Sequence, residues 1–330
     1  MIWVKRILLA VVALFVGAVI YLANTNPAIR NLPYIVTYDR AYDAYAQTDT
    51  TATDVTARVD ASGREAGLVT AFFGLDNALP KFSSWAVCKG SGGKDGMPII
   101  FSHEVDPATI EPGDIKVTTA SGAVGDLECL TMAPADGAGE LRTALLVGNY
   151  GRLEDQPVTV EVVGNVLSLD GALNFNGARV DVTPLEQGPS MVVSEVLPEN
   201  MWNLGGDGSQ IPWGGGSFCP VDTRQVIRVS WDGGITKPNN VHIYDFPDVP
   251  YEIMVETADG PMVVAPMALA DLRDNDNNHL LCLDTDAPAT LVSLAAGEVT
   301  DPREDLNVAT SIAVPAEPGI LFTQPSIGLQ

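Results

Sequence analysis

The sequence predicts an all-β protein made of two tandem β-sandwich domains behind an N-terminal transmembrane helix. Three observations lead there. One long uncharged run opens the chain, short apolar stretches alternate at period two through the rest, and the second half repeats the order of the first.

The opening segment comes first. Residues 1–6 read MIWVKR, and Ile7 to Ala23 follows as ILLAVVALFVGAVIYLA without a charge. Counted from Ile2, the stretch nearly spans a hydrocarbon core of ~30 Å at ~1.5 Å per residue. Trp3 and Tyr21 stand at its ends, where amphipathic rings favour the interface. Lys5 and Arg6 belong on the cytoplasmic side. A cleaved signal peptide has a shorter apolar region and a small-x-small site. Val16-Gly17-Ala18 offers such a site, but inside the run, and bulky Tyr21 disfavours cleavage after Ala23. An uncleaved signal anchor over residues 1–23 is favoured over a cleaved peptide, and the membrane is the first expected partner. Tyr34, Tyr38, Tyr42 and Tyr45 share one face of a predicted juxtamembrane helix. Residues 46–60, rich in Thr, Ala and Asp, read as a linker, so 24–60 forms one connecting segment.

The remainder has the composition of a strand-and-turn protein. Of 330 residues, 46% are hydrophobic, enough for real cores, and Gly (31) and Pro (23) are frequent enough to punctuate many strands. The net charge is −24, and removing Lys5 and Arg6 leaves −26 on everything that follows. A surface of that sign repels phosphate backbones and excludes nucleic acid as a partner.

Internal similarity organises this remainder. Asp114-Ile-Lys-Val-Thr-Thr-Ala-Ser-Gly122 matches Glu252-Ile-Met-Val-Glu-Thr-Ala-Asp-Gly260 residue for residue, each a half-buried strand entering a hairpin at Gly. Cys88 precedes the strand Pro98-Ile-Ile-Phe-Ser102, as Cys219 precedes Gln225-Val-Ile-Arg-Val-Ser230. Cys129-Leu130 with Ala133-Pro134 tracks Cys282-Leu283 with Ala287-Pro288. Gly164-x-Val166 before Leu173-Asn174 tracks Gly297-x-Val299 before Leu306-Asn307. The matches predict a first sandwich over 61–188 and a duplicate over 189–316, and the Pro-rich tail over 317–330 reads as extended or poorly ordered. No long helical stripe interrupts them, and Pro157-Val-Thr-Val-Glu-Val-Val163 and Ala178-Arg-Val-Asp-Val182 keep the two-residue period.

Phe101-Ser-His-Glu-Val-Asp-Pro-Ala-Thr-Ile-Glu-Pro-Gly-Asp-Ile-Lys-Val-Thr118 resembles the opening of bacterial Ig-like domains of the S-layer-protein type. In those domains Phe-Ser leads through a Val-Asp-Pro-x-Thr turn to an Ile-x-Val strand. Val158 to Asn174 is similar to that family's last strand and its Asp-x-x-Gly-Asn exit. The likeness covers mainly residues 98–182 and fades in the second copy, where Trp231-Asp-Gly-Gly replaces the Asp-Pro turn. It implies Ig-like sandwiches and a role in display, spacing or adhesion, with no catalytic residues. Joined to the anchor, it implies a single-pass protein of the bacterial inner membrane, its domains in the periplasm or outside the cell.

Four cysteines in an exported chain are expected to pair. Three connectivities are open, and the repeat selects one bond per domain, Cys88–Cys129 and Cys219–Cys282. No Cys-x-x-Cys argues for zinc.

Other sites are sparse. Asp274, Asp276 and Asn278 reproduce the first, third and fifth ligands of a Ca²⁺ loop, because alternate residues can turn their oxygens to one centre. His279 then stands where Gly is needed and Thr285 where a bidentate Glu belongs, so this is not an EF-hand. Ca²⁺ is the one cofactor the sequence admits, against the alternative of a polar hairpin tip. The Gly-rich loop 204–217 carries Trp213, and the insertion 236–247 carries Tyr244 and Phe246, an aromatic set suited to a carbohydrate or peptide. His103, His242 and His279 stand apart, and no Gly-x-Ser-x-Gly or His-Glu-x-x-His occurs.

These readings order the functions. A non-catalytic, membrane-anchored scaffold or interaction protein comes first, facing a cell-envelope protein or polysaccharide. A ligand-binding module comes second and a hydrolase of unrecognised type third. Peptide mapping without reduction is expected to recover Cys88 linked to Cys129 and Cys219 linked to Cys282. A Cys88–Cys219 peptide would overturn the duplicated-domain reading.

Overall fold

The computed structural model describes residues 48–81, 83–202, 204–205, 217–272 and 276–327, with Trp85 and Ala86 described by their backbone alone. The predicted membrane helix, the tyrosine face, Trp213 and Asp274 lie outside these residues. Among the described residues no helix is long and apolar enough to cross a membrane.

The fold is all-β. The N-terminal half contributes β1 (Leu68–Phe72), β2 (Asp95–Phe101), β3 (Ile115–Thr119), β4 (Asp126–Thr131), β5 (Thr143–Asn149), β6 (Pro157–Val162) and β7 (Arg179–Thr183). They form one ribbon in the order β3-β6-β7-β1-β2-β5-β4. Strand β7 makes the ribbon double back. Its first residues pair antiparallel with β6 (Val160 opposite Val180), and its last pair in parallel with β1 (Phe72 opposite Thr183). Val117 and Val160 from one arm therefore meet Met97, Ile99 and Leu146 from the other in a single core. The Asp-Pro turn before β3 has a local cause. The Asp106 carboxylate accepts the Ala108 N–H at 3.0 Å, and the Thr109 hydroxyl donates to the Asp106 carbonyl at 2.8 Å.

The C-terminal half follows a related plan. Strands β8 (Met191–Val196), β9 (Gln225–Trp231), β12 (Ala268–Ala270), β13 (Asn278–Leu283) and β16 (Leu321–Thr323) form a sheet in the order β12-β13-β9-β8-β16. Strands β10 (Glu252–Thr257), β11 (Gly260–Val264), β14 (Ala289–Leu294) and β15 (Thr310–Ala313) form the other, in the order β11-β10-β14-β15. A second core joins Ile253 and Val292 of one sheet to Ile227, Trp231 and Leu281 of the other.

The repeated motifs fall on these elements unevenly. Strands β3 and β10 hold corresponding places, and Gly122 and Gly260 end them at φ 86° and 110°, a left-handed conformation that favours glycine. The asparagines of the last match also correspond. The Asn307 amide oxygen accepts the N–H groups of Glu298 and Val299, and its nitrogen donates to Ala295 and Val308. Asn174 likewise reaches the Val55 carbonyl and the Asn165 amide. Asn307 thereby pins the loop between β14 and β15, and Asn174 the loop between β6 and β7.

The cysteines pair as the repeat indicates, with Cα atoms 6.7 Å apart for Cys88–Cys129 and 5.7 Å for Cys219–Cys282. The strands that carry the second cysteine are not equivalent. Cys129 lies on the edge strand β4, whereas Cys282 lies on β13, which pairs with the inner strand β9 as β5 pairs with β2. The shared Cys-Leu motif gave the right partners by a correspondence the sheets do not keep.

The tail is extended where it is described, and part of it is a strand. Leu321–Thr323 pairs with β8 because that strand's outer edge offers unpaired backbone groups. Beyond it, the Gln324 amide donates to the Met191 and Ser311 carbonyls, and Ser326 Oγ lies 2.6 Å from Thr70 Oγ1.

Where the tail meets the joint between β8 and β9 a carboxylate is fully buried. Asp232 accepts the Ser190 N–H at 2.9 Å and the Ser190 hydroxyl at 2.8 Å. Burial outweighs these bonds and pushes its pKa from 3.8 up to about 6. The folded state thus holds the proton that the unfolded state has released between those values. The stabilisation is complete below 3.8 and is lost as pH rises through about 6. At ~1.4 kcal/mol per unit this amounts to about 3 kcal/mol. Urea unfolding from pH 4 to 7 is expected to show Asp232→Asn gaining on the wild type by roughly that amount. Parallel curves would contradict it.

Candidate functional site

The two halves meet along a polar seam whose centre is Arg228. Strand β9 reads Gln-Val-Ile-Arg-Val-Ser-Trp, and Ile227, Val229 and Trp231 face the second core at period two. Arg228 faces the other way, into the first half, and is 4% exposed. Its guanidinium donates to the Gly139 carbonyl at 2.7 Å and the Ala138 carbonyl at 2.9 Å. It lies 3.2 Å from the Glu195 carboxylate on β8 and 3.5 Å from Glu140. A buried guanidinium requires such partners, because desolvation of a lone charge costs several kcal/mol.

Glu140 has further acidic neighbours. One oxygen each from Glu140, Asp271 and Asp276 lies within 4.8 Å of the others, close enough to hold a metal ion. Burial, and then the charge of Asp271, hold the Glu140 carboxyl well above the usual carboxylate range. A side-chain hydrogen bond with Asp271 pushes it the same way, and the positive charge of Arg228, 3.5 Å off, opposes the shift.

Beside the seam opens a cleft of about 450 Å³, with Arg64, His103, Glu104, Arg142 and Asp170 on one wall and Glu195 on the other. The segment before β1 (Arg64), the loops after β2 (His103, Glu104) and before β5 (Arg142) and the loop between β6 and β7 (Asp170) supply the first wall, and β8 supplies Glu195. His103 looks like part of a catalytic array. Its Nδ1 lies 2.8 Å from Ser102 Oγ and its Nε2 3.0 Å from Asp60 Oδ2. The Ser102 hydroxyl, however, is buried, accepts the Gly67 N–H at 2.9 Å and meets the Glu65 carbonyl at 2.8 Å. The group ties the segment before β1 to the end of β2. Bonds from the Ser62 hydroxyl and then His103 hold Asp60 well below the usual carboxylate range.

Among the described residues, those singled out from the sequence lie in separate places. Asp276 accepts the Asn278 N–H at 2.8 Å and its side-chain amide at 2.5 Å, while the Asn278 oxygen accepts the Ser230 hydroxyl at 2.6 Å. The two residues thus bond to each other at the entry to β13. Asp276 also meets Glu140 and Asp271. Tyr244 is 60% exposed, whereas Phe246 packs against the second core. Among the histidines, His242 is exposed and His279 is in the core. Trp231 Nε1–H donates to Tyr251 Oη, whose hydroxyl lies 2.9 Å from His279 Nδ1, and burial lowers the His279 pKa to about 3. His279 is therefore a neutral acceptor that completes a buried polar chain.

Sequence reasoning missed Arg142, Glu140, Glu195 and Arg228. One signal was legible: Arg228 interrupts an otherwise apolar alternation, Val226-Ile227-Arg228-Val229, which marks a charge facing a covered surface.

No family model matches the chain, and no curated protein matches it. Among solved structures it is similar to the N-terminal part of the bacterial S-layer protein SbsC, with 12% identity and a TM-score of 0.26. The alignment covers 77% of this chain and 45% of that one, so the chain spans less than half of that structure. A likeness of this size carries no argument about fold or role.

Replacing Arg228 leaves Glu195 and the Glu140–Asp271 pair buried without their cation. Arg228→Met is expected to cost about 3–5 kcal/mol in urea unfolding, because breaking a buried pair strands the remaining charge. Adding Glu195→Leu is expected to recover part of that loss. A single variant within ~0.5 kcal/mol of the wild type would show that the seam contributes nothing.

Proposed function

We propose that this chain is a membrane-anchored extracytoplasmic scaffold or interaction protein whose tandem Ig-like β-sandwiches act without catalysis. The observation that carries this reading is the pair of sandwich-like halves, each closed by a disulfide, joined through a buried seam. Disulfides belong to oxidising compartments, and the opening apolar run supplies the tether. Ser102, His103 and Asp60 serve as a structural tie, and His279 is sealed in the core, which supports a non-catalytic role. The strongly acidic exterior suits a soluble surface held in an aqueous compartment and presented to an envelope protein or polysaccharide.

Ligand binding is a second reading, favoured by the cleft beside the seam. It is compatible with the first, since a spaced, anchored module can also hold a small molecule.

The test is topological. Protease added to spheroplasts carrying the full-length chain is expected to digest the sandwiches while a cytoplasmic marker survives. Proximity labelling from the same chain is expected to mark envelope components. Protection from protease, with labelling of cytoplasmic proteins, would sink the proposal.

A further inference from the structure

Arg64 and Asp60 compete for one nitrogen of His103. The Nε of Arg64 lies 3.1 Å from His103 Nε2, and Asp60 Oδ2 lies 3.0 Å from the same atom. The first is a donor and the second an acceptor, so no single form of the ring satisfies both.

The other ring nitrogen decides which forms are open. Ser102 Oγ lies 2.8 Å from His103 Nδ1, 2.8 Å from the Glu65 carbonyl and 2.9 Å from the Gly67 nitrogen. The carbonyl can only accept, so the one hydroxyl hydrogen belongs there. Nδ1 therefore carries a hydrogen and donates to Ser102 Oγ. A neutral ring then has its lone pair at Nε2, where it accepts the Arg64 Nε–H and faces Asp60 unfavourably. A protonated ring donates from Nε2 to Asp60 and turns that hydrogen toward the Arg64 Nε–H. Each form makes one of the two bonds and forfeits the other. The opposite neutral tautomer forfeits two, the bond from Ser102 to Glu65 and the bond from Arg64.

The surroundings hold one competitor more firmly than the other. Asp60 Oδ1 accepts the Ser62 N–H, the Ser62 hydroxyl and the Arg64 N–H at 2.8, 2.6 and 2.9 Å, which fixes the carboxylate. The Arg64 side chain is 32% exposed, and its Nη2 lies 3.4 Å from Asp60 Oδ2. The charged groups around the ring are Asp60 and Arg64 before β1, Glu104 after β2, Arg142 before β5 and Asp170 between β6 and β7. Burial is the largest influence on His103 and lowers its pKa from the usual 6.5. The Asp60 bond opposes that shift, and the charges of Arg64 and Arg142 add to it.

We propose that His103 is a proton-operated selector, which holds the Arg64 guanidinium when neutral and, when protonated, takes the Asp60 carboxylate and releases Arg64 Nε. Both residues line the cleft beside the seam. Acidification therefore adds one positive charge to that wall and loosens a second. The bond from Nδ1 to Ser102 is the same in both states, so the switch acts on the cleft and leaves the tie intact. It does not depend on the scaffold reading, and its failure leaves that reading standing.

The test is nitrogen NMR of the purified full-length chain with histidine and arginine labelled, where three histidines keep the spectrum assignable. Near neutral pH His103 is expected as the Nδ1–H tautomer, the rarer form of imidazole in water. As pH falls, His103 is expected to titrate below 6.5, and the Arg64 Nε–H resonance to shift with the same midpoint. Asp60→Asn is expected to weaken proton binding at His103 by about tenfold or more, the usual effect of losing an opposite charge at this range. Arg64→Met is expected to strengthen it, because a competing donor and a like charge are both removed. An Nε2–H tautomer at neutral pH, an Arg64 signal that ignores the His103 transition, or variants that move the midpoint in the same direction would each overturn the proposal. The first two are read on the wild type, so they stand even where a variant fails to fold.

Discussion

The guanidinium of Arg228 is the interaction on which the arrangement of the halves depends. It starts from the middle of β9 in the second core and ends on two backbone carbonyls of the first half. Carbonyls of a loop can be met in this way only if the loop approaches closely. Gly139 permits that approach: a Cβ there would stand 2.7 Å from Arg228 Nη1 and 2.8 Å from Met201 Cε, on a backbone with φ of 81°. The apolar contacts beside it agree. Ile100 on the outer face of β2 meets Val192 and Val193 of β8, with Val69 and Leu321 at the margin. The ring of Phe72 lies where a side chain on Gly233 would have to go, 2.8 Å from the ideal Cβ. Charge, glycine and apolar patch thus impose one relative placement, and the cleft takes its dimensions from it.

What the sequence disclosed follows the range of each interaction. Period two is local, so β3, β6, β10 and the hairpins at Gly122 and Gly260 were legible. The cysteine pairs were legible through the repeat, yet their strands were not, because strand order is a long-range property that a Cys-Leu dipeptide does not encode. The all-buried pattern of β8, β9 and β13 depends on a neighbour covering the second face. A strand with one covered face and a strand with two differ in sequence only by a few side chains, here Arg228 and Ser230. The Asp276–Asn278 spacing was read as ligand geometry. The same short side chains that reach a cation also reach their own backbone, as the Asp276 carboxylate does with the Asn278 N–H. The tail was read from its prolines, although three residues free of proline suffice to add a strand to an open edge.

The electrostatics of the molecule divide sharply between outside and inside. The exterior carries a large excess of carboxylates, while the seam gathers two buried arginines and the Glu140–Asp271 pair. The positive charge of Arg228 is spent inside the seam, on two carboxylates and two backbone carbonyls.

Strand β16 has a temporal consequence. It is the last described strand to be synthesised, yet it covers the edge of β8, whose opposite edge is paired to β9. Until residues 321–323 emerge, that edge of β8 stays open, so the last described strand to be made is also the one that closes the sheet.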